Sequence, residues 1–421
     1  MREADREHRR ARAPSWYPYF VLFASLYLMV AGTGSIYFLV AALKPIAAEF
    51  QWPRTVPSLA YALQYLGGGL GGILMGYWMD RAGMARPACL GSVMIGLGSM
   101  LTATVHEAWQ LYGIYGLMLG FFGRASLFSP LMVNITHWFE HRRGMAVGIV
   151  GSGQALAGAV WPRIFQEGIL GFGWRETGLL YGVFILVTMV PLSLVFLRDH
   201  PGRHARLHGA TPSDDGATML PARRLTGLLC IAIVGCCVAM SLPLAHLLSH
   251  ASDIGFSPVH GAQLLSLMLV CAATSSMFGV GALSSRVGSL GALLAFSGVQ
   301  ALTLGLFPLA DTLTELYVVA ALFGFGYGGV LPSYPVIIRE HMAAAGAGAR
   351  TGLIVFFGTI GMALGAGIGG VSYDLTGGYG PAFYIGVLFN LGNLAIIGYL
   401  FKKARRGRRP RGRAVLVASG A

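Results

Sequence analysis

Inside the long apolar runs of this sequence few side chains can do chemistry, and two of those are arginines. Arg124 stands near the middle of one run. Arg163 stands in the outer part of the next, beside Trp161. All 17 acids fall outside the apolar interiors or at the ends of runs, with Glu167 the nearest to Arg163. A guanidinium at mid-bilayer costs about 3 kcal/mol on insertion scales, so Arg124 must face a cavity or a partner. With no buried carboxylate expected beside it, an anionic ligand is an available counter-charge. A planar guanidinium suits a carboxylate because it can bond both oxygens. Bonds to backbone carbonyls near a kink, or to cavity water, are the competing reading; the ligand role is the expectation. For Arg163 the preference reverses. It is nearer the surface, can snorkel, and can pair with Glu167 one turn away.

His246 follows Pro243 by three residues near the outer end of another run. Its imidazole titrates near neutral pH and could couple proton and solute movement. A polar residue at a membrane interface is the competing reading. Tyr37, Gln154, Trp161, Tyr327 and Tyr334 complete the candidate pocket. Gln154 and Trp161 are seven apart, about two helical turns, and so share a face; Tyr327 and Tyr334 repeat the spacing. Small-ligand cavities are mostly apolar with a few placed polar groups. Core packing is the competing role for each of the five.

The elements that must position these residues are membrane helices. The chain is 55% hydrophobic and 11% charged, where a soluble domain carries about a quarter charged residues. Taking roughly 20 apolar residues per span, the sequence predicts twelve: about 17–43, 55–79, 87–104, 109–138, 143–168, 177–197, 225–249, 260–283, 289–308, 313–337, 350–371 and 381–401. The fold class expected is all-α, with two pseudo-symmetric six-helix bundles at 17–197 and 225–401. Residues 1–16, the linker 198–224 and the basic tail 402–421 are expected in the cytoplasm. The net charge of +13 does not imply nucleic acid, because 25 of the 30 Lys and Arg fall in the predicted cytoplasmic segments. That bias sets orientation, and the tails have membrane lipid as a neighbour. The five cysteines lie in apolar runs without metal-like spacing, and no cofactor is expected.

A short charged hinge, Gly76 to Arg86, separates spans 2 and 3. Its skeleton is Gly76, Asp80, Arg81, Gly83 and Arg86. Gly281, Ser285, Arg286 and Gly288 repeat it at a constant offset of 205, which Pro130 and Pro335 share. Such a repeat in so apolar a chain predicts two similar bundles. Gly68, Gly72 and Gly76 in span 2, and Gly361, Gly365 and Gly369 in span 11, each lie four apart. They predict close helix packing, either between the bundles or within each.

The hinge resembles the signature of the major facilitator superfamily. Further stretches resemble its monocarboxylate transporter and oxalate–formate exchanger branch: Glu49-Phe50-x-Trp52-x-Arg54, Trp138-Phe139 with Arg142-Arg143-Gly144, Gly173-Trp174-Arg175, and Pro243 to Ser257. The resemblance implies a central cavity lined by spans 1, 4, 7 and 10, alternating access by rocking of the halves, and small organic anions as substrates. It also implies that Asp80, Arg81 and Arg86 lock the cytoplasmic side of the outward-open state. One difference concerns the branch's substrate arginine in span 8, where this chain has Ser275 and Ser276; the lysine of oxalate exchangers in span 11 is also absent.

The expected function is therefore secondary transport of a small, monocarboxylate-like anion across the inner membrane, with a proton or counter-anion as the open choice of companion. Export of a larger apolar or amphiphilic compound is the alternative, and a non-transporting sensor a further one. No Gly-x-x-x-x-Gly-Lys-[Ser/Thr] loop is present to drive transport by ATP within this chain. An integral membrane enzyme is not expected, since the spans lack a His or acid cluster.

Overall fold

The computed structural model describes residues 16–139, 143–196, 220–342 and 347–407. The expected segment 1–16 and the linker lie almost entirely outside the described residues, as does the end of the tail.

The described residues form twelve helical rods and no strand. In the first half they are α1 (Tyr17–Glu49), α2 (Thr55–Ala82), α3 (Ala85–Thr102), α4 (Ala108–Gly113, Ile114–Arg124 and Ala125–Trp138 in one run), α5 (Arg143–Phe172) and α6 (Trp174–Phe196). In the second they are α7 (Ala222–Asp253), α8 (Pro258–Thr274, Ser275–Gly279 and Val280–Val287), α9 (Ser289–Leu306), α10 (Leu313–His341), α11 (Ala347–Thr376) and α12 (Gly380–Gly407). Nine of these rods are long and apolar enough to cross a membrane on hydropathy alone. The other three are α2, α3 and α5, whose many glycines and few charges dilute an otherwise apolar composition.

The internal repeat is visible as backbone geometry. Gly83 and Gly288 end α2 and α8 with φ of 87° and 79°, where a side chain would be strained. Their N–H groups close onto Met79 and Ser284, also 205 apart, at 3.0 and 2.9 Å. Pro130 and Pro335 both lie inside helices, α4 and α10. The end of the molecule carrying Gly83 and Gly288 is called the hinge end below.

The halves meet chiefly where α2 packs on α11 and α5 on α8. Glycine decides how close these rods come. A Cβ on Gly69 would lie 2.4 Å from Thr359 Oγ1, and one on Gly370 would lie 2.7 Å from Ser58, both across the halves. The fourfold glycine faces do something else. Gly361, Gly365 and Gly369 pack on Val234, Val238 and His246 of α7, in their own half, and Gly68 packs on Arg124 of α4. Gly76 has open space beside it. The second-half stripe and Gly68 serve packing within each bundle, and the neighbours Gly69 and Gly370 serve packing between bundles.

Several of the motif residues form a clamp at the other end of the molecule. Trp174 Nε1 donates to Glu49 Oε2 at 2.6 Å, and Arg175 donates to Glu49 Oε1 at 2.7 Å. The clamp ties the turn after α1 to the start of α6. This end is called the latch end.

Candidate functional site

Arg124 closes a π-helical stretch, Ile114–Arg124, in the middle of α4. Such wider turns recur at functional sites because they re-aim side chains. The side chain runs past Gly68 of α2, where a Cβ would come within 2.9 Å of Arg124 Cδ. Its guanidinium carbon lies 4.6 Å from the centre of the Tyr65 ring and 5.3 Å from that of Phe128. Among the described residues it has no carboxylate partner and no hydrogen bond to a protein atom. A ring face favours the charge but accepts no strong hydrogen bond, so the N–H donors remain for a ligand or water.

Phenols surround this charge. Tyr37 of α1, Tyr61 and Tyr65 of α2 and Tyr327 of α10 lie within electrostatic reach of it or of one another. The hydroxyls of Tyr61 and Tyr65 are 3.5 Å apart, and Tyr37 Oη is 3.5 Å from the Gln154 carbonyl of α5. The cluster thus draws on both halves. A narrow cleft between α1 and α4 beside Arg124 holds about 10 Å³, room for about one water.

Of the residues expected at the site, Arg124, Tyr37, Gln154 and Tyr327 come together. Four others lie apart from this cluster. Trp161 is in the core between α1, α5 and α6; its Nε1 donates to Val30 O at 2.9 Å and its ring stacks on Phe165. Tyr334 is 1% exposed and packs against α7, its hydroxyl 3.7 Å from Cys236 Sγ. Arg163, also named as a candidate ligand, is on the surface and paired with Glu167 at 3.0 Å, the arrangement preferred for it from the sequence. His246 is wholly buried between α7 and α11. Its Nε2 is 3.0 Å from Ala366 O and its ring stacks on Tyr379. At the hinge, Arg81 lies over the Tyr77 ring at 4.0 Å and Arg86 is exposed, while the Asp80 side chain lies outside the described residues. Tyr61, Tyr65 and Phe128 were missed. Tyr61 and Tyr65 stand one turn apart in the helix beside Arg124, and that spacing was a usable signal.

A second constellation at the latch end was also missed. Asp253, at the end of α7, accepts from Lys44 of α1 at 2.8 Å and from both terminal nitrogens of Arg54, which precedes α2. Lys44 also donates to Ser252 at 2.8 Å. Asp374 of α11 accepts from the backbone N–H groups of Arg54 and Thr55, each at 2.8 Å, and from the Thr55 hydroxyl. The Arg54 guanidinium lies 3.5 Å over the Tyr373 ring and donates to Tyr379. Burial opposes its charge, but the bonds to Asp253 and Tyr379 outweigh that and hold its pKa above the usual value. Every one of these ion pairs and hydrogen bonds, except those from Lys44 to Ser252 and from Arg54 to Tyr379, links an acid of the second half to a donor of the first. Lys44 to Ser252 also crosses the halves.

Among the described residues no group of three His, Cys, Asp or Glu is placed to hold a metal ion.

The sequence pattern described as Major Facilitator Superfamily matches residues 23–366 and 227–419. The chain belongs to the major facilitator superfamily. It is 27% identical to monocarboxylate transporter 13 of Rattus norvegicus over 85% of this chain and 81% of that one. It is 25% identical to an uncharacterized transporter of the superfamily, YcxA, from Bacillus subtilis, over 80% of this chain and 83% of that one. A solved bacterial homologue of the human lysosomal transporter Spinster, in an inward-facing and occupied conformation, superposes with a TM-score of 0.69 at 15% identity, covering 93% of this chain and 98% of that one. The protein is a multi-pass membrane transporter.

Proposed function

We propose that the protein moves a small organic anion, monocarboxylate-like in size and charge, by alternating access. The supporting observation is Arg124: a guanidinium inside a transmembrane rod, flanked by rings and phenols, with no carboxylate partner among the described residues. A carboxylate would use the idle N–H donors in pairs, and hydroxyls of Tyr37, Tyr65 or Tyr327 would orient its other end. Because Tyr327 belongs to the second half, a bound anion would connect both halves and favour their closure around it. In this reading 17–197 and 225–401 rock against each other along the α2–α11 and α5–α8 contacts. The basic distribution of the sequence places the hinge end in the cytoplasm and the latch end outside, so the state described has its outer end closed. The similarity to a monocarboxylate transporter supports the anion.

The test is uptake of labelled lactate and pyruvate into proteoliposomes, with wild type beside Arg124→Ala. Saturable uptake that the substitution abolishes is the expected result. Equal uptake by the variant would remove Arg124 as the anion site. No uptake by correctly inserted wild type would exclude both solutes.

A further inference from the structure

A cleft of about 500 Å³ lies between the halves at the latch end, apart from the Arg124 cluster. Six segments wall it, through Ala48, Trp52, Gln166, Leu248, Pro258 and Tyr373. Its size falls within the range of small-molecule sites. Most of its wall is apolar, and its charges are already matched. Lys44 and Arg54 both bind Asp253, and the Asp374 carboxylate is held by the backbone N–H groups of Arg54 and Thr55. A charged ligand would have to break those bonds, so the occupant that fits is uncharged. One polar side chain in the wall is unsatisfied: Gln166 is 5% exposed and its Oε1 has no partner. A buried amide oxygen without a donor is costly, and a ligand N–H or O–H would relieve it after a small side-chain adjustment. Trp52, of the first half, offers a flat aromatic neighbour, its ring stacked on Phe50.

We propose that this vestibule is a second binding site, for an uncharged, flat amphiphile carrying one hydrogen-bond donor, and that binding there holds the two halves together. Such a ligand touches both halves at once only while the latch end is closed. Its binding therefore shifts the population toward that state and slows transport without occupying the Arg124 cluster. The inference does not depend on which solute is carried.

2-Naphthol is a suitable probe, being flat, neutral at pH 7 and equipped with one O–H donor. Its binding to the purified full-length protein is measured by titration calorimetry, which requires no transport. One saturable site is expected. Gln166→Leu should weaken binding about 10-fold, the effect of one buried hydrogen bond. Ala48→Trp, which fills the cleft from an exposed helix position, should abolish it. Asp253→Asn, which loosens the halves, should also weaken it. The proposal is overturned if wild type shows no saturable binding, or if Gln166→Leu and Ala48→Trp both bind as wild type does.

Discussion

The Arg124 cluster and the latch end each place arginine in a partly buried setting, and they treat its charge in opposite ways. Arg54 is matched by a carboxylate of the other half, Asp253, which holds it at both terminal nitrogens. Arg124 has aromatic rings beside it and, among the described residues, no acid partner. A paired buried charge mainly fixes geometry, since breaking the pair strands its partner. An unpaired one is costly unless something arrives to meet it. In the proposed reading, the latch end sets conformation and the centre binds the ligand.

The largest expected effect is at the centre. Arg124→Ala should lower affinity for the transported anion about 100-fold, the upper range for hydrogen bonds to a charged group. Arg124→Lys keeps the charge but loses the planar fork, and should recover part of that loss. Full recovery by lysine would reduce the site to a point charge. Next in size is the latch. Asp253→Asn leaves Lys44 and Arg54 without their shared acid and should loosen the halves. Labelling of a cysteine introduced at Leu248, 3% exposed at the vestibule, should then speed up about 10-fold in a cysteine-free background. Unchanged labelling would mean that helix packing alone closes this end. The smallest effect concerns the ring beside Arg124. Tyr65→Ala should weaken anion binding about 3-fold through loss of the cation–π contact, and Tyr65→Phe should stay within about 2-fold of wild type. A larger loss in Tyr65→Phe would show that the hydroxyl, rather than the ring, meets the solute.

The two regions also differ in how well the sequence displays them. Arg124 stands out because one charge in an apolar run is conspicuous at any distance from its neighbours. The twelve rods and the 205-residue repeat are legible for the same reason, being local patterns of hydropathy and glycine. The latch is not local. Arg54 pairs with an acid 199 residues away and caps onto another 320 away, and nothing in either stretch announces the other. Arg54 and Asp253 do fall inside motifs quoted for the family resemblance, but a motif marks a residue without naming its partner. His246 shows a different gap. Its type and position left a proton-coupling site and a polar interface residue open, and neither displays the packing by which the bare surface of Gly369 lets the imidazole sink between α7 and α11. The fourfold glycine stripes left two packing arrangements open, and only the positions of α4 and α7 decide between them.

The most direct test of the account is equilibrium binding of labelled pyruvate to detergent-purified protein, comparing wild type, Arg124→Ala and Asp253→Asn. Binding separates the site from the cycle, because it requires no movement of the halves across a membrane. The account predicts that Arg124→Ala loses measurable binding while Asp253→Asn retains it. Binding by Arg124→Ala at wild-type affinity would contradict the assignment of the solute site to the unpaired arginine.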